Sequence, residues 1–254
     1  MYLDDTPDPR ILCWFSCGAT SAVATKLICS KRQKYDVVVA YTQVKEEHAD
    51  NTRFLKNCED WICHDIIILR NEKYNASIYE VFNRERYLVG PYGAPCTKHL
   101  KRNVRETFQR YNDIHVLGFS AEEHERAEEF QERNSKLTCW FPLIERHLTK
   151  ADCLAMVEDA GIELPAMYTL GYEHNNCVGC VKGGAGYWNK IRTDFPEVFD
   201  RMAKTEREIG ASLIRVNRES IYLDSLDPAA GRGQKEPTIE CGIFCHIAKQ
   251  ECSA

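Results

Sequence analysis

Two groups of residues in this chain could do chemistry. Cys177-Val178-Gly179-Cys180 offers two sulfurs on one tight turn, and Cys96 offers a third from far upstream. Thiolates at such spacing suit an iron–sulfur cluster or a zinc ion. The second group is Ser16-Cys17-Gly18-Ala19-Thr20-Ser21, small residues and hydroxyls between an apolar run and a helical pattern. Backbone N–H groups at a helix N-terminus attract anions, and the helix dipole assists them. Gly18 would let the backbone approach a phosphate closely, and Ser16, Thr20 and Ser21 would add hydroxyl donors. The loop matches neither the Walker-type GxxxxGKS/T nor the dinucleotide GxGxxG pattern. An ordinary strand-to-helix turn with capping hydroxyls is the other reading of the same residues. Together the two groups point to redox or sulfur chemistry on a nucleotide.

Cys241 and Cys245 stand four apart near the end of the chain, and on a helix they would share a face. Three readings are open: a nucleophilic thiol on a tail that closes over the loop, completion of the metal site, or incidental thiols. Nucleophilicity needs the thiolate, which cationic surroundings favour. Lys98, Lys101 and Arg102 follow Cys96, with His99, Arg105 and Arg110 nearby, and Lys182 follows Cys180. These cations could bind sulfate or phosphate, contact nucleic acid, or form a solvated helix face. Glu47, His48 and Asp50 could line the pocket, hold Mg2+ through carboxylate and water, or simply stand at the surface.

The elements that must position these groups read as alternating strands and helices. Near-continuous apolar runs at 10–16, 36–42, 65–69 and 113–119 suit parallel strands buried on both faces. Helical spacing covers 20–34, 48–62, 98–111 and 121–134, the third basic and the fourth acidic. The alternation predicts an α/β fold with a doubly wound, mostly parallel sheet and a C-terminal cysteine-bearing extension. Thr149 with Asp152 predicts a capped helix that Gly161 terminates. A shaped loop at 164–186 carries the CxxC, a further helix covers 195–210, and 224–237 reads as a linker. Residues 1–160 are expected to form the nucleotide-binding α/β domain. Residues 161–254 are expected to carry the CxxC and the tail, packed on that domain.

The chain has 254 residues and a formal net charge of −5, a balance that does not favour strong nonspecific nucleic-acid binding. Met1-Tyr2-Leu3-Asp4-Asp5 lacks the basic and apolar segments of an export signal, and no uncharged stretch is long enough to span a bilayer. Thirteen cysteines in such a chain suit a reducing, cytoplasmic setting with metal ligation rather than disulfides. Cys13, Cys29, Cys63, Cys139 and Cys153 lie in apolar runs and read as core residues.

The loop SxGxxS resembles the PP-loop of the adenine-nucleotide α-hydrolase superfamily, with Cys17 where that pattern often has Gly. Four further segments narrow the resemblance to the phosphoadenosine-phosphosulfate (PAPS) reductase family. They are Gly118-Phe119-Ser120 through Arg126; Phe141-Pro142-Leu143-Ile144 with Leu148-Thr149-Lys150-Ala151-Asp152; Leu164-Pro165 with Tyr168 and Gly171-Tyr172; and Glu240-Cys241-Gly242-Ile243. The resemblance implies that Gly118 and Arg126 join Ser16–Ser21 around ATP, adenylylsulfate (APS) or PAPS. It implies a 4Fe-4S cluster on Cys96, Cys177 and Cys180, although Pro95 stands where the APS-reductase branch has a further cysteine. It also implies attack by Cys241 on a sulfonucleotide, with thioredoxin or glutaredoxin as reductant. Three cluster cysteines also resemble PP-loop tRNA thiolation enzymes, which implies an alternative: an ATP-consuming, pyrophosphate-releasing transfer of sulfur to nucleic acid. A non-catalytic nucleotide or redox sensor with structural zinc is the reading from another class.

Overall fold

A computed structural model describes residues 9–31, 34–90, 93–216 and 219–232. Cys241 and Cys245 lie outside the described residues. Five strands, β1 (Ile11–Phe15), β2 (Val37–Thr42), β3 (Ile66–Leu69), β4 (Ile114–Val116) and β5 (Thr138–Trp140), form a parallel sheet in the order 3-2-1-4-5. All five residues of central β1 are buried, which is why its run is apolar without alternation. The first helix, α1 (Ala19–Cys29), packs on β1. Ala19, Ala22 and Ala24 are buried there, and small side chains let helix and sheet come close. Further helices are α2 (Asn51–Ile62), α3 (Ile78–Glu85), α4 (Asn103–Phe108), α5 (His124–Arg133), α6 (Pro142–Glu145) and α7 (Lys150–Asp159). Three of them, α2, α6 and α7, pack against α1. The architecture is α/β, a parallel sheet flanked by helices, consistent with a doubly wound fold.

The chain divides into two units with interleaved segments: 1–42, 49–69 and 108–175 in one, and 43–48, 70–107 and 176–254 in the other. The first holds the sheet. At the amino ends of its central strands the Arg10 guanidinium donates to both Asp113 oxygens, at 2.7 and 3.1 Å, with the Asp113 side chain fully buried. Removing one member of such a pair strands a buried charge and costs about 3–5 kcal/mol. The pair fixes β1 beside β4, Ile11 opposite Ile114, at the end of the sheet away from the loop at Ser16.

The second unit contains α3, then α9 (Ala185–Asp194), α10 (Pro196–Ile209) and the antiparallel pair β6 (Ile214–Val216) and β7 (Glu219–Ile221). The remaining helix, α8 (Ala166–Thr169), belongs to the first unit. Trp188, Ile191 and Met202 are 0% exposed and centre the second unit's core. Gly210 ends α10 with φ of 78°, a left-handed cap that glycine adopts at little cost.

Several elements differ from the sequence expectation. The helix expected at 98–111 starts as a π-helical turn, Thr97–Arg102, before the short α4. Within this turn the Asn103 N–H reaches back five residues to the Lys98 carbonyl, and Asn71 Nδ2 donates to the His99 carbonyl at 2.7 Å. The helix ends at Phe108, whose carbonyl accepts from Arg10 Nη2 at 2.9 Å. The first helix stops at Cys29, where the Ser30 hydroxyl turns back to the Leu27 carbonyl at 2.8 Å. The fifth strand and α9 carry no clear periodic signal, and β5 is a three-residue edge strand only partly buried; α3 is not among the expected helices, although Ile78, Tyr79, Val81 and Phe82 stand at helical spacing and are buried.

Candidate functional site

In the first unit, Ser16-Cys17-Gly18 turns the chain from β1 into α1. Cys17 takes a left-handed φ of 55° and Gly18 is extended, with φ −106° and ψ 153°. The Ser21 hydroxyl closes the turn. It accepts from the Ser16 N–H at 3.1 Å and the Ser16 hydroxyl at 3.0 Å, and donates to the Gly18 carbonyl at 2.9 Å. Ser16 is exposed, Thr20 half-buried, and Cys17, Gly18, Ala19 and Ser21 buried. The loop therefore shows an exposed hydroxyl and the first turn of a helix without an acidic residue there.

Gly118 follows β4, the strand beside β1. A Cβ on Gly118 would stand 2.8 Å from the Ser21 nitrogen and 2.9 Å from Ser21 Cα, so the two backbones touch and only glycine fits. Here the chain order of the sheet reverses, at the carboxyl ends of β1 and β4. Ligands of open α/β sheets bind in that crevice. Arg126 pairs with Glu123, lies 5.0 Å above the Phe119 ring, and has a side chain 36% exposed. The structure thus brings Ser16–Ser21 and Gly118 together, with Arg126 on the helix that follows.

Three further residues hold this loop. The Tyr168 hydroxyl takes the Ala19 N–H, and a Cβ on Gly18 would come 3.3 Å from it. Burial pushes the Tyr168 hydroxyl up to about 12, against the opposing pull of that hydrogen bond. Asn175 Nδ2 donates to the Cys17 carbonyl at 2.6 Å and to Asn51 Oδ1 at 2.7 Å. Nothing in the spacing of Asn51 or Asn175 marks them, because each reaches the loop from more than 30 positions away; Tyr168 stands in one of the segments that carry the family resemblance, but without a sign that it reaches the loop. Asp50 is held by Arg53 at 2.6 Å and by the Ala166 N–H at 2.9 Å, so it is a structural anion for α2 and α8.

In the second unit, the CxxC turn is wholly buried, Cys177 and Cys180 each at 5% exposure and Cys96 at 8%. Gly179 has φ of 76°, and a Cβ there would meet Val198 Cγ1 at 2.6 Å and Trp188 at 3.2 Å. The Tyr187 hydroxyl accepts the N–H groups of Gly179 at 3.0 Å and Cys180 at 2.9 Å, and donates to the Cys177 carbonyl at 3.3 Å. Burial holds that phenol well above its ordinary range. On the other side the Val178 N–H donates to the Glu46 carbonyl at 2.8 Å, and Glu47 bridges Cys177 in antiparallel fashion. The Glu46 carboxylate accepts from the Ser77 hydroxyl at 2.6 Å and the Ile78 N–H at 2.9 Å, which ties the same segment to the start of α3.

Of the expected anion-binding cations, Lys98 is exposed, Arg102 and Lys182 are half-buried, and Lys101 is buried. Lys101 pairs with Glu47 at 3.5 Å, the two side chains 9% and 6% exposed. The donor chemistry of Cys96, Cys177 and Cys180 suits iron or zinc, and all three belong to this unit. Among the described residues, however, no three His, Cys, Asp or Glu side chains converge as a metal-holding group. No disulfide joins the described cysteines. Among the described residues no helix is long and apolar enough to cross a membrane. No protein-family model matches this chain, and no curated protein matches it.

Proposed function

We propose that the chain binds an adenine nucleotide at Ser16–Ser21 and performs sulfur chemistry on it, as a PAPS-reductase-like enzyme of the PP-loop type. The observation that carries this reading is the contact of Gly118 with the Ser21 backbone. It places a hydroxyl-bearing helix N-terminus in the crevice between β1 and β4, the place where a phosphate is best held in such a sheet. The five motif resemblances name the nucleotide and the sulfur chemistry.

The reaction proposed is thiol-dependent reduction of a sulfonucleotide. The Cys241 thiolate attacks the sulfur of APS or PAPS, an S–S bond forms, the S–O bond to the nucleotide phosphate breaks, and the nucleotide leaves. An external dithiol such as thioredoxin or glutaredoxin then attacks Cys241 Sγ and releases sulfite. Its second thiol resolves the mixed disulfide, so the dithiol is oxidised and the sulfonate reduced. An iron–sulfur cluster on Cys96, Cys177 and Cys180 remains part of the proposal for the unit's architecture. The described residues alone do not assemble it.

Burial of Lys101 and of Arg105, whose side chain is 4% exposed, withdraws two cations from any nucleic-acid surface. That favours reduction over sulfur transfer to RNA or DNA. The test is sulfite release from APS and PAPS with a dithiol reductant. Wild-type turnover, abolished in Cys241→Ser with nucleotide binding retained, supports the reading. Pyrophosphate release from ATP in the presence of RNA or DNA supports the transferase instead. Stoichiometric zinc with neither turnover supports the sensor.

A further inference from the structure

Asn175 does more than fill space behind the loop. Its residue exposure is 7%, and its Nδ2 hydrogen bonds to the Cys17 carbonyl and to Asn51 Oδ1 are 2.6 and 2.7 Å long. The amide orientation is settled by chemistry, since a backbone carbonyl only accepts. The Cys17–Gly18 peptide is trans, as are the others described. In a trans peptide the C=O and the next N–H point in opposite directions. Pinning the Cys17 carbonyl toward Asn175 therefore turns the Gly18 N–H away from Asn175. Gly18 is buried, and its N–H makes no hydrogen bond among the described residues. A buried N–H of this kind costs stability unless something accepts from it. The other half of the Asn175 amide tells the same story: Asn175 Oδ1 is buried without a hydrogen-bond partner. The side chain gives up one good contact so that its two donors can hold the loop.

We infer that Asn175 is a positioning residue that holds the Cys17–Gly18 peptide so that the Gly18 N–H is presented to a phosphate oxygen of the bound nucleotide. This inference rests on the nucleotide reading above and adds to it the group that reads phosphate rather than base or ribose. The left-handed φ of Cys17 is the strained conformation that such a hold maintains; a non-glycine residue there costs about 1–2 kcal/mol.

The experiment uses the full chain, selectively labelled with 15N-glycine, the Gly18 resonance being assigned through Gly18→Ala. Calorimetric titrations with ATP, AMP and adenosine are run on the wild type, Asn175→Ala and the isosteric Asn175→Asp. In the wild type, ATP and AMP should shift the Gly18 amide strongly downfield and adenosine should not. Both variants should lose at least tenfold in affinity for ATP and AMP, keep their affinity for adenosine, and lose the downfield shift. Wild-type affinity for ATP in the variants, equal losses for ATP and adenosine, or a wild-type Gly18 amide indifferent to phosphate would each overturn the inference. If the wild type binds no nucleotide saturably, the nucleotide reading itself falls and this inference falls with it. Binding in the wild type with unchanged variants overturns only the role of Asn175.

Discussion

The turn at Ser16–Ser21 and the turn at Cys177–Cys180 are both tight and both surrounded by buried residues, yet only the first also closes on itself through its own side-chain hydroxyls. The first is closed within itself, where Ser16, Gly18 and Ser21 share hydrogen bonds inside five positions, and is braced from behind by Asn175 and Tyr168. The second is closed from outside, by the Tyr187 hydroxyl, the Glu46 carbonyl and the walls of Val198 and Trp188. A turn that ties itself leaves a side open to a ligand, and here that side carries an exposed hydroxyl. A turn that is tied from all sides fixes its two sulfurs rigidly in a core. On the function proposed above, the first would be the binding loop and the second a scaffold for thiols.

The sharpest way to break the comparison is at Gly179. Gly179→Ala forces a side chain into Val198 and Trp188 and into a left-handed backbone. Overpacking and backbone strain together should cost about 3 kcal/mol, read as a lower urea midpoint. Tyr187→Phe is milder. It leaves the N–H groups of Gly179 and Cys180 without their acceptor in a buried place, at about 2 kcal/mol. If nucleotide affinity stays unchanged in a folded Tyr187→Phe chain, the two turns are independent, as the comparison holds. Ser21→Ala should do the reverse. It removes the closing hydroxyl of the loop, should lower nucleotide affinity roughly tenfold, or about 1.4 kcal/mol, and should move the urea midpoint less than Tyr187→Phe does.

An effect confined to alkaline pH concerns core thiols rather than either turn. Burial pushes Cys58 and Cys153 up to about 12. A raised folded value means that the folded state keeps its proton while the unfolded thiol, at about 8.5, ionises. The stability these groups contribute is therefore complete below about 8.5 and falls as pH rises toward 12. Thermal melts across that window should show the fall, and Cys153→Ala should flatten it. Core behaviour was legible for Cys13 on β1, Cys29 on α1 and Cys153 on α7, all buried in the core, but Cys139 is only partly buried and Cys63 is exposed at the end of α2.

How much of the fold could be read in advance follows the same division. Long apolar runs announced β1 to β4, and the Thr149–Asp152 box formed with both hydrogen bonds in place, Thr149 N to Asp152 Oδ2 at 2.8 Å and Asp152 N to Thr149 Oγ1 at 3.1 Å. Gly161 adopts the expected left-handed φ, 73°. These are local devices, and local pattern finds them. The π-helical turn at Thr97–Arg102, the hold of Asn175 on Cys17 and the hydroxyl of Tyr187 depend on partners distant in sequence. No periodicity encodes them. The loop was legible from its hydroxyls, whereas the residues that support it were not.

The central claim is that the loop after β1 holds the phosphate of an adenine nucleotide. Equilibrium binding of ATP and APS to the full chain, wild type against Gly118→Ala, tests it most directly. Gly118→Ala drives a Cβ into the Ser21 backbone, which cannot turn aside as a side chain could. Saturable one-to-one binding by the wild type, lost in a variant whose circular dichroism is unchanged, is the predicted result. A wild type that binds no nucleotide, or a folded variant that binds as tightly as the wild type, would contradict the account.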